Sequence, residues 1–179
     1  RGLAGSSRLV PSSPVVGVNR PAVPYHGGMA FYESVFSIIG PIMVGPSSSH
    51  TAGAARLGAL ARALLGATPV HADIGLHGSF AETGAGHGTD RALVAGLLGF
   101  ETRDDRIREA FDHARKSGMS WKFHKVDLGP EAHPCSARML LKGPEGEELE
   151  VTGSSLGGGT VRVTGIQGYD VDISGAYPA

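Results

Sequence analysis

Residues 137–174, ARMLLKGPEGEELEVTGSSLGGGTVRVTGIQGYDVDIS, decide the fold. They contain ARMLLKG, ELEVTGSSL, TVRVTGI and YDVDIS, short runs rich in aliphatic and β-branched residues, each bounded by Gly, Pro or acidic residues. Side chains along a strand alternate between two faces, so runs of this length between turn residues read as strands of an antiparallel sheet. GPEGEE, residues 143–148, has the composition of a hairpin turn. SSLGGGTV, residues 154–161, is either a bulge and hairpin or a loop that lines a pocket with backbone amides. Upstream, WKFHKVDL (121–128) adds a further strand.

Toward the N-terminus the period lengthens to that of a helix. Ala54, Leu57, Ala61, Leu64 and Leu65 recur at helical spacing, and Gly66 closes the pattern as a C-terminal cap. VHADIGLHGSF (70–80) reads as a strand running into a glycine turn. In AETGAGHGTDRALVAGLLGF (81–100) a Gly-rich loop is expected to end at Thr89 or Asp90, either of which can cap a helix through Leu98. Asp104 and Asp105 open another helix, with Ile107, Ala110, Phe111 and Ala114 as its buried stripe and acidic groups suited to the helix dipole. The fold class is therefore α+β, with two or three helices packed on a mostly antiparallel sheet. No repeat of fixed period is evident.

Composition narrows the function classes. With 41% hydrophobic and 18% charged residues and a net charge of −1, the chain is a globular domain without the basic stripe of a nucleic-acid binder. No segment approaches a bilayer-spanning length of about 18 apolar residues, so no membrane partner is expected and the cytoplasm is the default location. One cysteine rules out an internal disulfide framework and a self-contained thiolate metal site. Residues 1–28 lack acidic side chains and are rich in Pro, Ser and Gly, the composition of a disordered leader. Met29 reads as the start of the domain, 29–174, with a short helix around Ser34 to Ile39 and a strand-like apolar run toward Val44. Residues 175–179 read as a truncated linker.

Two stretches carry the chemistry. GPSSSHTAGAARLG (45–58) sets three serines, His50 and Thr51 before a helix, where free backbone N–H groups and the positive end of the dipole favour an anion. Ser47, Ser48 and Ser49 with those amides can hold a carboxylate or phosphate, and His50 beside it can transfer a proton. The plainer alternative is one capping serine and a packed histidine. HGSFAETGAGHGTD (77–90) supplies His77, Ser79, Thr83, His87, Thr89 and Asp90, again leading into a helix start. Here the alternative is a structural His77 in a tight glycine turn. Cys135, two residues after His133, reads as a buried structural cysteine. A serine hydrolase is disfavoured because the chain has no G-x-S-x-G elbow.

SVFSIIGPIMVGPSSSHTAGAARLG, HGSFAETGAGHGTDRALVAGLLG, HPCSARMLL and SLGGGTVRVTGIQG, in that order, resemble the β chain or β domain of iron–sulfur-dependent L-serine dehydratases, over residues 34–168. The resemblance implies deamination of L-serine to pyruvate and ammonia, shared with an α chain that carries the [4Fe–4S] cluster. It makes His87 and His50 the catalytic candidates, with His87 as the proton-abstracting base. Ser47, Ser48, Ser49, Thr51, His77, Ser79, Thr89 and Asp90 become the substrate-binding set, with no metal ligands in this chain. It further implies a possible homodimer and the loss of a C-terminal ACT domain. The same β portion is similar to the allosteric substrate-binding domain of D-3-phosphoglycerate dehydrogenases. That likeness gives the alternative of a non-catalytic, anion-binding regulatory domain; an assembly subunit is a third possibility.

Overall fold

The computed structural model describes residues 42–174. The leader at 1–28, the helix expected around Ser34 to Ile39 and the terminal stretch 175–179 lie outside these residues. The described chain begins with a bonded corner, in which Val44 N–H donates to Thr102 O at 2.8 Å and Thr102 Oγ1 to Ile42 O at 2.9 Å. The strand-like run toward Val44 is therefore not a strand over Ile42–Val44, because its one backbone bond here goes to a loop.

A π-turn, Ser48–Gly53, runs without a break into α1, Ala54–Leu65. There follow β1 (His71–His77), α2 (Gly78–His87), α3 (Thr89–Leu97), a 3-10 turn (Asp105–Glu109), α4 (Ala110–Lys116) and β2 (Ser120–Lys125). β3 (Ser136–Lys142), β4 (Glu148–Gly157), β5 (Thr160–Ile166) and β6 (Tyr169–Ser174) complete a six-stranded sheet in the order β2-β1-β3-β4-β5-β6. Only β1 and β2 pair in parallel, joined by the helical crossover that a parallel pair needs. Each other neighbouring pair is antiparallel. The α+β expectation holds, and each strand read from residue 70 onward is present.

The additional helix is α2. The Gly-rich segment after His77 was expected to be a loop, yet it forms a helix of ten residues. Gly78 enters it at φ +52°, and a Cβ there would stand 2.8 Å from Pro134 O, so this corner requires glycine. Nor do Thr89 and Asp90 cap the next helix: Gly88, at φ +71°, both ends α2 and precedes α3. The left-handed glycine turns the chain between two helices without a side-chain cap.

The core lies between the helices and one face of the sheet. Ala72, Ile74, Ala137, Met139, Leu141, Val151 and Val163 point inward and meet Leu57, Phe80, Leu93 and Leu97, all essentially inaccessible. In α1 the expected stripe holds at Ala54, Leu57 and Ala61, but Leu64 is exposed. Ile107, Ala110 and Ala114 are buried as expected, and Phe111 stacks on Trp121 at 5.1 Å. Helices α1 and α3 approach to backbone contact. A Cβ on Gly58 would be 2.3 Å from Leu93 O, and one on Gly96 would be 2.0 Å from Ala55 O. That close approach brings the start of α1 against the segment that leads into α3.

Candidate functional site

Both histidine-bearing stretches converge at the start of α1. Ser47 Oγ accepts from His50 N–H at 3.1 Å, an N-cap bond that fixes the first turn. Ser47 Oγ lies 3.3 Å from Ser49 Oγ, and Ser49 Oγ lies 3.1 Å from His50 Nδ1. On the far side of the ring, His50 Nε2 is 3.1 Å from both Ser79 Oγ and Thr83 Oγ1, which stand one turn apart on α2. The His50 and His87 rings are 5.0 Å apart, tilted by 40°, and the buried Phe80 ring meets His50 edge-on at 5.3 Å.

His87 closes α2, and its Nδ1 lies 3.0 Å from Thr83 O. A carbonyl only accepts, so Nδ1 carries the proton and a neutral His87 keeps its lone pair on Nε2. Thr51 is buried and donates from Oγ1 to His87 O at 3.0 Å, tying the serine turn to the end of α2. Burial, together with the neighbouring His87, holds the His50 pKa below the ordinary 6.5, and hydrogen bonding at Ser79 only partly offsets this. At neutral pH His50 is therefore an uncharged imidazole.

The remaining sequence candidates fall in different places. Ser48 belongs to the same turn but makes no side-chain hydrogen bond among the described residues. His77, at the end of β1, faces the 126–128 segment: its Nδ1 is 3.3 Å from Val126 O and 3.2 Å from Leu128 N. Thr89 is fully buried with its hydroxyl unpartnered among the described residues. Asp90 accepts from Arg91 N–H at 2.8 Å at the start of α3. The stretch 154–161 forms the bulge and hairpin between β4 and β5, and Ser155 within β4 reaches the serine turn, since a Cβ on Gly53 would fall 1.8 Å from Ser155 Oγ. Phe80 and Cys135 were not legible as neighbours of the site, because no local pattern marks them. Burial raises the Cys135 thiol pKa above 9.0, while hydrogen bonding from Ser79 acts in the opposite direction.

A [4Fe–4S] cluster does not fit this chain. Such clusters are held by several thiolates, whereas Cys135 is the single cysteine and its thiol is held protonated. Among the described residues no group of three His, Cys, Asp or Glu side chains could hold a metal ion. No described helix is long and apolar enough to cross a membrane. A groove of about 750 Å³ lies on the sheet face away from the helices, between residues 128–134 and the start of β6. None of Ser47, Ser49, His50, Ser79, Thr83 or His87 lines it.

Comparison with known proteins places the chain in a family. A family model described as serine dehydratase beta chain matches residues 34–133, the stretch that holds both histidines. A Bacillus subtilis protein named "Probable L-serine dehydratase, beta chain" is 49% identical over 148 residues, 83% of this chain and 66% of its own length. The L-serine dehydratase beta chain of Peptoniphilus asaccharolyticus is 46% identical over 80% of this chain and 65% of its own. The Escherichia coli L-serine dehydratase TdcG is 32% identical over 81% of this chain but 37% of its own length. The chain thus spans just under two thirds of the two beta chains it matches. It belongs to the serine dehydratase beta chain family.

Proposed function

We propose that this chain is the β subunit of an L-serine dehydratase and acts with a cluster-bearing α chain in the cytoplasm to convert L-serine to pyruvate and ammonia. The observation that carries the reading is the pair of imidazoles 5.0 Å apart beside a serine-lined helix start, within the stretch that matches the family. Both ring environments suit the two tasks of the reaction. The α-proton of a free amino acid is weakly acidic, so a base must be held close and the carboxylate met by fixed donors. His87, with its lone pair on Nε2, takes the α-proton. Ser47, Ser48 and Ser49 with the free amides at the helix start hold the carboxylate, and His50 orders their hydroxyls.

Loss of the proton from Cα and of hydroxide from Cβ leaves an enamine. It tautomerises to the imine, and water then releases ammonia and pyruvate. The [4Fe–4S] cluster belongs to the α chain, where it would supply Lewis acidity. Both histidines are only half-buried here, and the second surface that excludes water would come from the same partner.

The test is anaerobic pyruvate formation from L-serine by this chain, by the α chain and by their mixture. Activity is expected in the mixture only. His87→Ala should lower kcat by about 10²- to 10⁴-fold, the range for a positioned acid–base group, with KM changed little. An α chain that is fully active alone would refute the reading and make this a regulatory or assembly domain.

A further inference from the structure

Thr83 stands between the two rings and touches each through a different atom. Its carbonyl is 3.0 Å from His87 Nδ1 and its hydroxyl is 3.1 Å from His50 Nε2. The hydroxyl has one proton, and it donates that proton to Ser79 O at 2.9 Å, one turn back along α2. Toward His50 it can only accept, so His50 Nε2 bears the hydrogen. The rest of the chain is consistent with that count. A bare His50 Nδ1 accepts from Ser49 at 3.1 Å, and Ser49 in turn accepts from Ser47 at 3.3 Å. Ser47 Oγ also takes the His50 backbone N–H at 3.1 Å. Ser47, Ser49 and Thr83 then each donate once, and Ser79 Oγ, also 3.1 Å from Nε2, accepts the same His50 hydrogen.

We propose that Thr83 is a positioning residue that sets opposite tautomers on the two histidines, Nε2–H on His50 through its hydroxyl and Nδ1–H on His87 through its carbonyl. The two rings are thereby given different tasks by one residue. Neither nitrogen of His50 keeps a free lone pair, so that ring cannot receive a substrate proton without breaking the chain of hydroxyls. His87 Nε2 is left as the acceptor. A lowered His50 pKa, caused mainly by burial, agrees with a neutral ring. The tautomers follow from hydrogen bonding alone; only their consequence for turnover rests on the dehydratase reading.

The test uses the full chain labelled with 15N-histidine and long-range 1H–15N correlation at pH 7.5, which distinguishes the two neutral tautomers and the imidazolium. The wild type is expected to give the Nε2–H pattern for His50 and the Nδ1–H pattern for His87. Thr83→Val removes the hydroxyl and keeps the carbonyl. It should raise the other forms of His50 about fivefold, the ratio that one net hydrogen bond is worth, and leave His87 unchanged; Thr83→Ser should restore the wild-type pattern. Ser79→Ala, which leaves Thr83 in place, is a second variant that should preserve the His50 tautomer. An Nδ1–H or charged His50 in the wild type, or a His50 signal unmoved by Thr83→Val, overturns the proposal. With the α chain present, Thr83→Val should lower kcat by less than about fivefold at constant KM, in step with the fraction of His50 that leaves the Nε2–H form. The expected tautomers without any pyruvate formation would support this assignment and refute the dehydratase reading.

Discussion

Gly96→Ala probes the contact on which the site is built. A Cβ at Gly96 would stand 2.0 Å from Ala55 O and 2.7 Å from Ala59 N, both backbone atoms of α1. An unstrained contact sits near about 3.5 Å, so α1 and α3 would have to separate by roughly 1.5 Å. Overpacking of this kind costs about 1–3 kcal/mol. Moving the helices apart also weakens dispersion contacts among Leu57, Leu93 and Leu97, which are fully buried. Against this, alanine is favoured over glycine inside a helix by about 1 kcal/mol. A clash of backbone on backbone belongs at the upper end of that range, about 3 kcal/mol, so the net expectation is a loss of about 2 kcal/mol, which at a urea m-value of about 2 kcal/mol/M lowers the midpoint by about 1 M. Urea unfolding followed by far-UV circular dichroism measures it. An unchanged or raised midpoint would refute the reasoning, because it would mean that the helices are not in backbone contact and propensity alone decides.

Phe80→Ala removes a fully buried ring that also meets His50 edge-on, and should cost about 3–5 kcal/mol in urea unfolding, as for other buried aromatics. Burial lowers the pKa of His133 as well as that of His50, so the unfolded chain binds protons first when the pH falls below the ordinary value of 6.5. Stability should therefore be fully present above that pH and decline below it. A urea midpoint no lower at pH 5.5 than at pH 7.5 would contradict both assignments. The Cys135 thiol, raised above 9.0 by burial, should alkylate with iodoacetamide more slowly than a free cysteine at pH 8.5. Equal rates would place it at the surface.

The strands were legible because each is a short apolar run between turn residues, and the turns in GPEGEE and SSLGGGTV lie where composition puts them. What misled was glycine. The segment Gly78–His87 contains three glycines, and local propensity reads it as a loop, yet packing of Phe80 and the bond from His87 Nδ1 to Thr83 O hold it as a helix. Tertiary contacts of this kind override propensity and leave no local signature. The serine run and both histidines stood out as polar groups before helix starts, and they do come together. His77 fitted the same pattern, but it stands at the end of β1 beside Val126 and Leu128. The difference depends on where β1 ends relative to the 126–128 segment, a long-range pairing that spacing cannot reveal. Thr83 is in the same position, since its importance lies in a carbonyl and in a ring 33 residues away.

The backbone contact between α1 and α3 also determines which motions the site can feel. Ser47 through His87 form one uninterrupted stretch, anchored by two helices pressed together at Gly58 and Gly96. Strand β6, at the opposite edge of the sheet from β2, contributes no hydrogen bond to either imidazole ring and is largely solvent-exposed. Local opening of that outer strand can therefore expose its amides to exchange while both imidazoles keep their partners. The spacing of the two imidazoles is set by the distance between two helix backbones, and the far edge of the sheet is free to breathe or to bind without disturbing it.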